Sequence, residues 1–233
     1  SIGERMSPKV VAVANTAGGS AKTTVAHALS VATVEYGKKT LLIDCDPKAS
    51  LTFRVGREGT RLTLADFLSG TSIRSEDLDP HSERFDFISA DSRVGNGFTG
   101  QDMKALLEKL PKEYDVVIID TPSDINASLK AALDVADFVL VPYSNTLHHL
   151  RGVSQISKLS ADTPIKLLAI GENSMPIKEF SEWEHLDGSC SIAKEIEAAA
   201  HTTTSVLTYA KNSTVAGQLR ECAYSVLEVL GLD

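Results

Sequence analysis

The chain has 233 residues, 42% hydrophobic and 23% charged, with a formal net charge of −8. That length supports one large α/β domain with a sizeable core, and no apolar run nears the roughly 18 residues of a membrane-spanning helix. The acidic balance excludes a body that is basic all round, so any DNA-binding surface has to be a local patch.

Residues 1–8 open a stretch, SIGERMSPK, that lacks the apolar core of a signal peptide; they read as a flexible arm or a cloning remnant ahead of a single domain over 9–233. An apolar run, VVAVA (10–14), then leads into NTAGGSAKTT (15–24). The stretch 22–37 predicts a helix with Val25, Leu29, Ala32 and Tyr36 on one face and a stop at Gly37. A second run, TLLID (40–44), ends in DCDPKAS, and the polar stretch 71–84 reads as a surface connection. Further strands are expected at 85–89, 115–120, 137–142 and 166–171, and helices at 101–110, 126–136, 151–160 and near the C-terminus. Residues 172–188 are weakly patterned and read as a loop after a strand end. Continuous rather than alternating apolar runs mark strands buried on both faces, and the β-α alternation predicts a doubly wound, mainly parallel sheet with helices on both faces. Cys45, Cys190 and Cys222 are too scattered for a metal site and read as reduced thiols.

Three strand ends carry the chemistry. A strand, a small-residue turn and a helix starting near Lys22 make an anion site, in which backbone N–H groups point at phosphate oxygens. Lys22 reaches the β- and γ-phosphates and the Thr23 hydroxyl ligates Mg²⁺ in the pattern G-x-x-x-x-G-K-[ST], although Thr16 and Ala21 occupy its glycine positions here. Asp44 and Asp46 end the second strand, where carboxylates hold metal-bound waters or position an attacking water. Asp120 ends DVVIID, the place from which P-loop enzymes support Mg²⁺.

With AGGSAKTT, LLIDCDPKAS, YDVVIIDTPS and ADFVLVPYSNTLHHLRG in this order, residues 9 to 160 resemble the ParA-type ATPases of the ParA/MinD group, P-loop enzymes with a deviant phosphate loop. The resemblance implies an ATPase that uses ATP/ADP and Mg²⁺, with slow, partner-stimulated turnover. Its ATP-bound homodimer would hold nonspecific DNA, and a ParB-like centromere-binding or cargo-adaptor protein would trigger hydrolysis and release. The cargo is a plasmid or chromosome, the place the cytoplasm on the nucleoid, with no membrane partner. It implies a nucleotide site at Gly18, Gly19, Ser20, Ala21, Lys22, Thr23 and Thr24, with Lys22 and Asp46 catalytic. Thr23, Asp120 and Asp46 attend the metal, and Asp44 stands behind them. With no helix-turn-helix extension read ahead of the first strand, the chain is expected to resemble the small, single-domain members of the group.

The departures are specific. The family pattern is K-G-G-x-G-K-T-T, whose first lysine reaches the partner's phosphates across the dimer; that position is Ala17 here, and the glycine before the second lysine is Ala21. If Ala21 needs a positive φ, alanine costs on the order of 1 kcal/mol there. Carboxysome-positioning members (McdA) also lack the first lysine. Arg151 is the candidate substitute, since arginine stays charged and grips phosphate with two N–H groups. His148 and His149 read as solvent-facing residues at the helix start. Asn173 is a candidate adenine contact, and Lys194, Lys211 and Arg220 are candidate DNA contacts. Three other functions stay open: a carboxysome or other cargo-positioning ATPase, a nucleotide sensor with weak or lost hydrolysis, and a metabolic or metallocofactor-assembly P-loop enzyme.

Overall fold

A computed structural model describes residues 7–19, 21–78, 80–171, 178 and 181–233. Its strands are β1 (Lys9–Val13), β2 (Thr40–Asp44), β3 (Asp86–Ile88), β4 (Val116–Asp120), β5 (Phe138–Tyr143) and β6 (Ile165–Ala169). They form one sheet in the order β3-β2-β4-β1-β5-β6, with every neighbouring pair parallel. The helices, in chain order, are α1 (Lys22–Glu35), α2 (Ser50–Arg54), α3 (Leu64–Leu68), α4 (Gly100–Glu108), α5 (Ala127–Val135), α6 (Leu147–Ser160), α7 (Lys194–Ala199), α8 (Val206–Tyr209) and α9 (Thr214–Val229).

The expected doubly wound architecture is present. Val11, Val13, Leu42, Ile118 and Leu140 pack on one face of the sheet with α1 and α9. Leu41, Ile43 and Ile119 pack on the other face with α4 and α5, and Ala12, Val139 and Val141 with α5 and α6. Both faces are covered, which is why the strands read as unbroken apolar runs. The central strand β1 lies between β4 and β5, so the loop leaving it opens where neighbouring connections part to opposite faces, the crevice in which α/β sheets bind ligands.

Three expectations need correction. Tyr36 does not share the buried face of α1; it caps the helix at the surface, its ring against Tyr224 and its hydroxyl donating to the Arg220 carbonyl. Helix α1 is instead buried on almost every side, because the small residues Ala26, Ala28, Ser30 and Ala32 let sheet and α9 close on it together. The stretch 71–84 is not all surface: Leu78, His81 and Glu83 are buried. Glu83 accepts hydrogen bonds from His27 on α1 and from Ser205 N–H and the Thr208 hydroxyl at α8, so this polar segment ties the C-terminal region to α1. Helix α6 begins at Leu147, four residues before the expected start, with the Thr146 hydroxyl accepting from His149 N–H as its cap.

Candidate functional site

The loop between β1 and α1 is built on Asn15, which is fully buried. Its Nδ2 donates to the Pro142 carbonyl at 2.9 Å and its Oδ1 accepts from Ala17 N–H at 2.8 Å. Gly19 (φ 74°) and Ala21 (φ 68°, ψ 21°) both adopt left-handed backbone, so the positive φ that would strain an alanine is present at Ala21. Ala49, which caps α2, is left-handed as well at φ 57°. Ala21→Gly should therefore raise stability by about 1 kcal/mol, or ~2–4 °C in Tm for a chain of this size. A melting curve settles it, and a lower Tm for the glycine variant would contradict the strain.

The N-terminus of α1 has no side-chain cap and no acidic residue in its first turn, which leaves its N–H groups and dipole free for an anion. Around it the strand ends converge. Asp44 and Asp120 are register partners on β2 and β4, which sets the two carboxyl groups side by side. Asp44 is fully buried, accepting from Asp46 N–H at 3.0 Å and from Thr52 N–H and hydroxyl at 2.9 and 2.7 Å; burial pushes its pKa up to about 6. Asp120 is also buried, with Oδ2 accepting from the Thr23 hydroxyl at 2.9 Å. Its Oδ1 has no partner among the described residues, and burial together with the neighbouring Asp44 pushes its pKa up to about 8. The Lys22 ammonium donates to the Ser123 hydroxyl at 2.6 Å. Burial pulls its pKa down while Asp120 and Asp46 hold it up. Asp46 is half-buried at the end of β2, its Oδ1 accepting from Lys48 N–H at 3.0 Å.

Helix α6 lies directly on the loop. A Cβ added to Gly152 would sit 2.0 Å from Asn15 Oδ1 and 3.0 Å from Ala17 N, so the helix approaches the loop backbone at the one residue without a side chain. Thr16 donates its hydroxyl to Gln155 Oε1. His149 is a correction: it is 6% exposed rather than solvent-facing. Its Nδ1 accepts from Ser144 N–H at 2.6 Å. Burial lowers its pKa although the Gly18 backbone, bonded to the same ring, raises it. Ala17, where the family has its first lysine, is 1% exposed beneath this contact. Arg151 is exposed one residue before Gly152, on the helix that covers the loop.

The structure thus brings together Gly18, Gly19, Ala21, Lys22, Thr23, Thr24, Asp46 and Asp120, with Arg151 on the adjoining helix. Ser20 and Asn173 lie outside the described residues. Lys194 is exposed on α7; Lys211 is exposed near Arg220, whose Nη1 donates to the Lys211 carbonyl at 2.7 Å. Arg220 also pairs with Glu35, its Nε donating at 2.8 Å. Sequence reading misread His149 and missed Ser123, Gly152 and Arg54, whose Nη1 donates to the Thr24 hydroxyl at 3.1 Å. Of these, only Gly152 carries a local signal, a glycine inside a helix.

The chain as a whole is similar to known proteins. The AAA domain family model matches residues 8–162. A ParA family protein of Chlamydia pneumoniae is 30% identical over 179 residues, 70% of each chain. The chromosome partitioning protein ParA of Caulobacter vibrioides is 31% identical over 163 residues, 64% of this chain and 61% of that one. The solved structure of cobyrinic acid a,c-diamide synthase from Mycobacterium smegmatis, with bound ATP analog and magnesium, superposes with a TM-score of 0.76 at 25% identity, over 95% of this chain and 94% of that one. On its loop, its paired strand-end aspartates and these matches, the chain belongs to the AAA domain family and, within it, to the ParA-type partition ATPases.

Proposed function

We propose that the chain is a dimerising partition ATPase that binds Mg²⁺–ATP at the N-terminus of α1 and hydrolyses it to ADP and phosphate. The observation that carries this is the orphaned, buried Asp120 Oδ1 beside the Thr23 hydroxyl, at a helix end with no cap of its own. This donor set fits Mg²⁺, which takes one or two protein oxygens and completes its shell with phosphate and water. Thr23 and Asp120 would hold the ion, directly or through water, and it would neutralise charge on the terminal phosphates. Gly18, Gly19, Ser20, Ala21 and Thr24 supply the loop and first helical turn around the phosphates. Lys22 moves from Ser123 to the β- and γ-phosphates, and Asp46, half-buried and close enough to Lys22 to hold up its pKa, orients the attacking water.

The dimer forms face to face. Two large apolar side chains stand exposed at the site's end of the sheet, Ile125 in the connection before α5 at 58% and Leu147 at the start of α6 at 73%, and both suit burial against a second copy. With Ala17 buried and uncharged, Arg151 reaches the partner's phosphates instead. Arg151→Ala should abolish ATP-dependent dimerisation with Tm and circular dichroism of the monomer intact; light scattering that shows unchanged dimers, with unchanged turnover, contradicts this role.

The ATP dimer holds nonspecific DNA through patches doubled by symmetry, which fall to Lys194 and Lys211, with Arg220 behind them. Its adenine contact includes Asn173. A ParB-like centromere-binding or cargo-adaptor protein stimulates otherwise slow turnover, and the cycle segregates or positions plasmid, chromosome or other cargo, a carboxysome included, on the nucleoid in the cytoplasm. The deciding experiment is retention on nonspecific DNA with Mg²⁺–ATP and with Mg²⁺–ADP. Retention only with ATP supports the reading; none in either state favours a second one, a metabolic P-loop synthase, which draws on the fold match to the cobyrinic acid a,c-diamide synthase.

A further inference from the structure

We propose that the Arg54 guanidinium is a phosphate-binding group of this site, contacting in cis the phosphate nearest the nucleoside. This rests on the nucleotide reading above and adds to it a residue outside the loop. Arg54 ends α2 and donates from Nη1 to the Thr24 hydroxyl at 3.1 Å. Thr24 is the third residue of α1, one position beyond the Thr23 hydroxyl that meets Asp120. Lys22 and Thr23 address the metal and the terminal phosphates, so a cation placed on Thr24 faces the next phosphate toward the nucleoside.

Charge gives the second reason. Arg93 pairs with Asp66 and Asp91, Arg74 with Asp77 and Arg220 with Glu35. Among the described residues Arg54 has no such carboxylate, and it donates instead to a neutral hydroxyl, that of Thr24. It is half-buried, and burial lowers its pKa, opposed by the charge of Asp120. A guanidinium partly withdrawn from water and left with a hydroxyl is under-compensated, and its planar fork matches a phosphate. The same site holds a second uncompensated group, since Oδ1 of buried Asp120 has no partner among the described residues while its Oδ2 accepts from Thr23, the neighbour of Thr24.

Arg54 is also held in place. Asp44 accepts from both the backbone and the hydroxyl of Thr52, and the same hydroxyl accepts from Ala90 N–H at 2.9 Å, which pins α2 to the ends of β2 and β3. The buried carboxyl at the start of D-x-D-P therefore fixes the helix that presents Arg54. The arrangement returns a positive charge to a loop that has none at Ala17, from within the same chain.

Calorimetric titration of the full chain with Mg²⁺–ADP and with a non-hydrolysable Mg²⁺–ATP analogue tests this on Arg54→Ala, Arg54→Lys and Arg54→Gln. Arg54→Ala should weaken both ligands by the same factor, about tenfold, as expected for a lost charge-assisted bond. Lysine should recover more affinity than glutamine, with circular dichroism and Tm unchanged throughout. Unaltered affinities in Arg54→Ala, or glutamine restoring binding as well as lysine does, would overturn the proposal, as would a loss confined to the ATP analogue. If the unsubstituted chain binds neither nucleotide, the nucleotide reading fails and this role with it; if it binds both and Arg54→Ala binds equally, only the role of Arg54 fails.

Discussion

Gly152→Ala is expected to lower the thermal midpoint by about 2–12 °C and to weaken nucleotide binding sharply, although the residue touches no ligand. The added methyl would meet Asn15 Oδ1 at 2.0 Å and Ala17 N at 3.0 Å. Neither can yield freely: Asn15 bridges the Ala17 N–H and the Pro142 carbonyl, and Ala17 belongs to the loop backbone. Relief therefore requires α6 to lift or the loop to shift. Overpacking of this kind costs about 1–3 kcal/mol, and each kcal/mol moves Tm by ~2–4 °C in a chain of this length. Gly217 on α9 is the control, because a Cβ there meets nothing within 4 Å, and alanine at that position should be neutral or stabilising. Equal behaviour of the two variants in melting and Mg²⁺–ADP titration would show that α6 does not brace the loop.

Asp120→Asn is expected to do the reverse to stability and worse to function. Burial and the neighbouring Asp44 raise the Asp120 carboxyl to about 8 in the folded chain, well above its ordinary value of 3.8. A raised folded pKa means that the native state holds the proton while the unfolded chain releases it. The contribution is present in full below about pH 4 and is lost as pH rises through 8. Asparagine removes that penalty, so the ligand-free variant should match the unsubstituted chain near pH 4. Between pH 4 and pH 8 it should come to exceed it, by a margin that widens as pH rises. Mg²⁺-dependent nucleotide binding should disappear, because the amide cannot replace the carboxylate facing the metal. Melting curves from pH 4 to 9 with and without Mg²⁺–ADP check both halves; a variant less stable than the parent at pH 8 contradicts the buried-charge account. This is the familiar trade of stability for a functional carboxylate.

How the sequence announced these features depends on whether the signal is local. The six strands were legible from their apolar runs, each end falling within two residues of the observed strand. Lys22, Thr23, Asp46 and Asp120 were legible as candidates because phosphate and magnesium chemistry fixes residue types at strand ends. The short helices α2 and α3 escaped notice, since five residues are too few to show a helical period, and Arg54 went unnoticed with α2. His149 was misread because two adjacent histidines at a helix start look like surface; its burial depends on α6 crossing the loop, a packing relation between segments over a hundred residues apart. Glu83 was misread for the same reason, its partners lying on α1 and α8. The left-handed turn at Ala21 was raised in the sequence only as a condition, through the glycine the family has there, and the backbone decides it at φ 68°.

The central claim is that this site works as a nucleotide switch without a lysine at position 17. Molar mass by light scattering, with Mg²⁺–ADP and with a non-hydrolysable Mg²⁺–ATP analogue, tests it most directly. The account predicts a monomer of 25.0 kDa with ADP and a dimer with the analogue. A monomer in both states, or a dimer indifferent to the nucleotide, would contradict it.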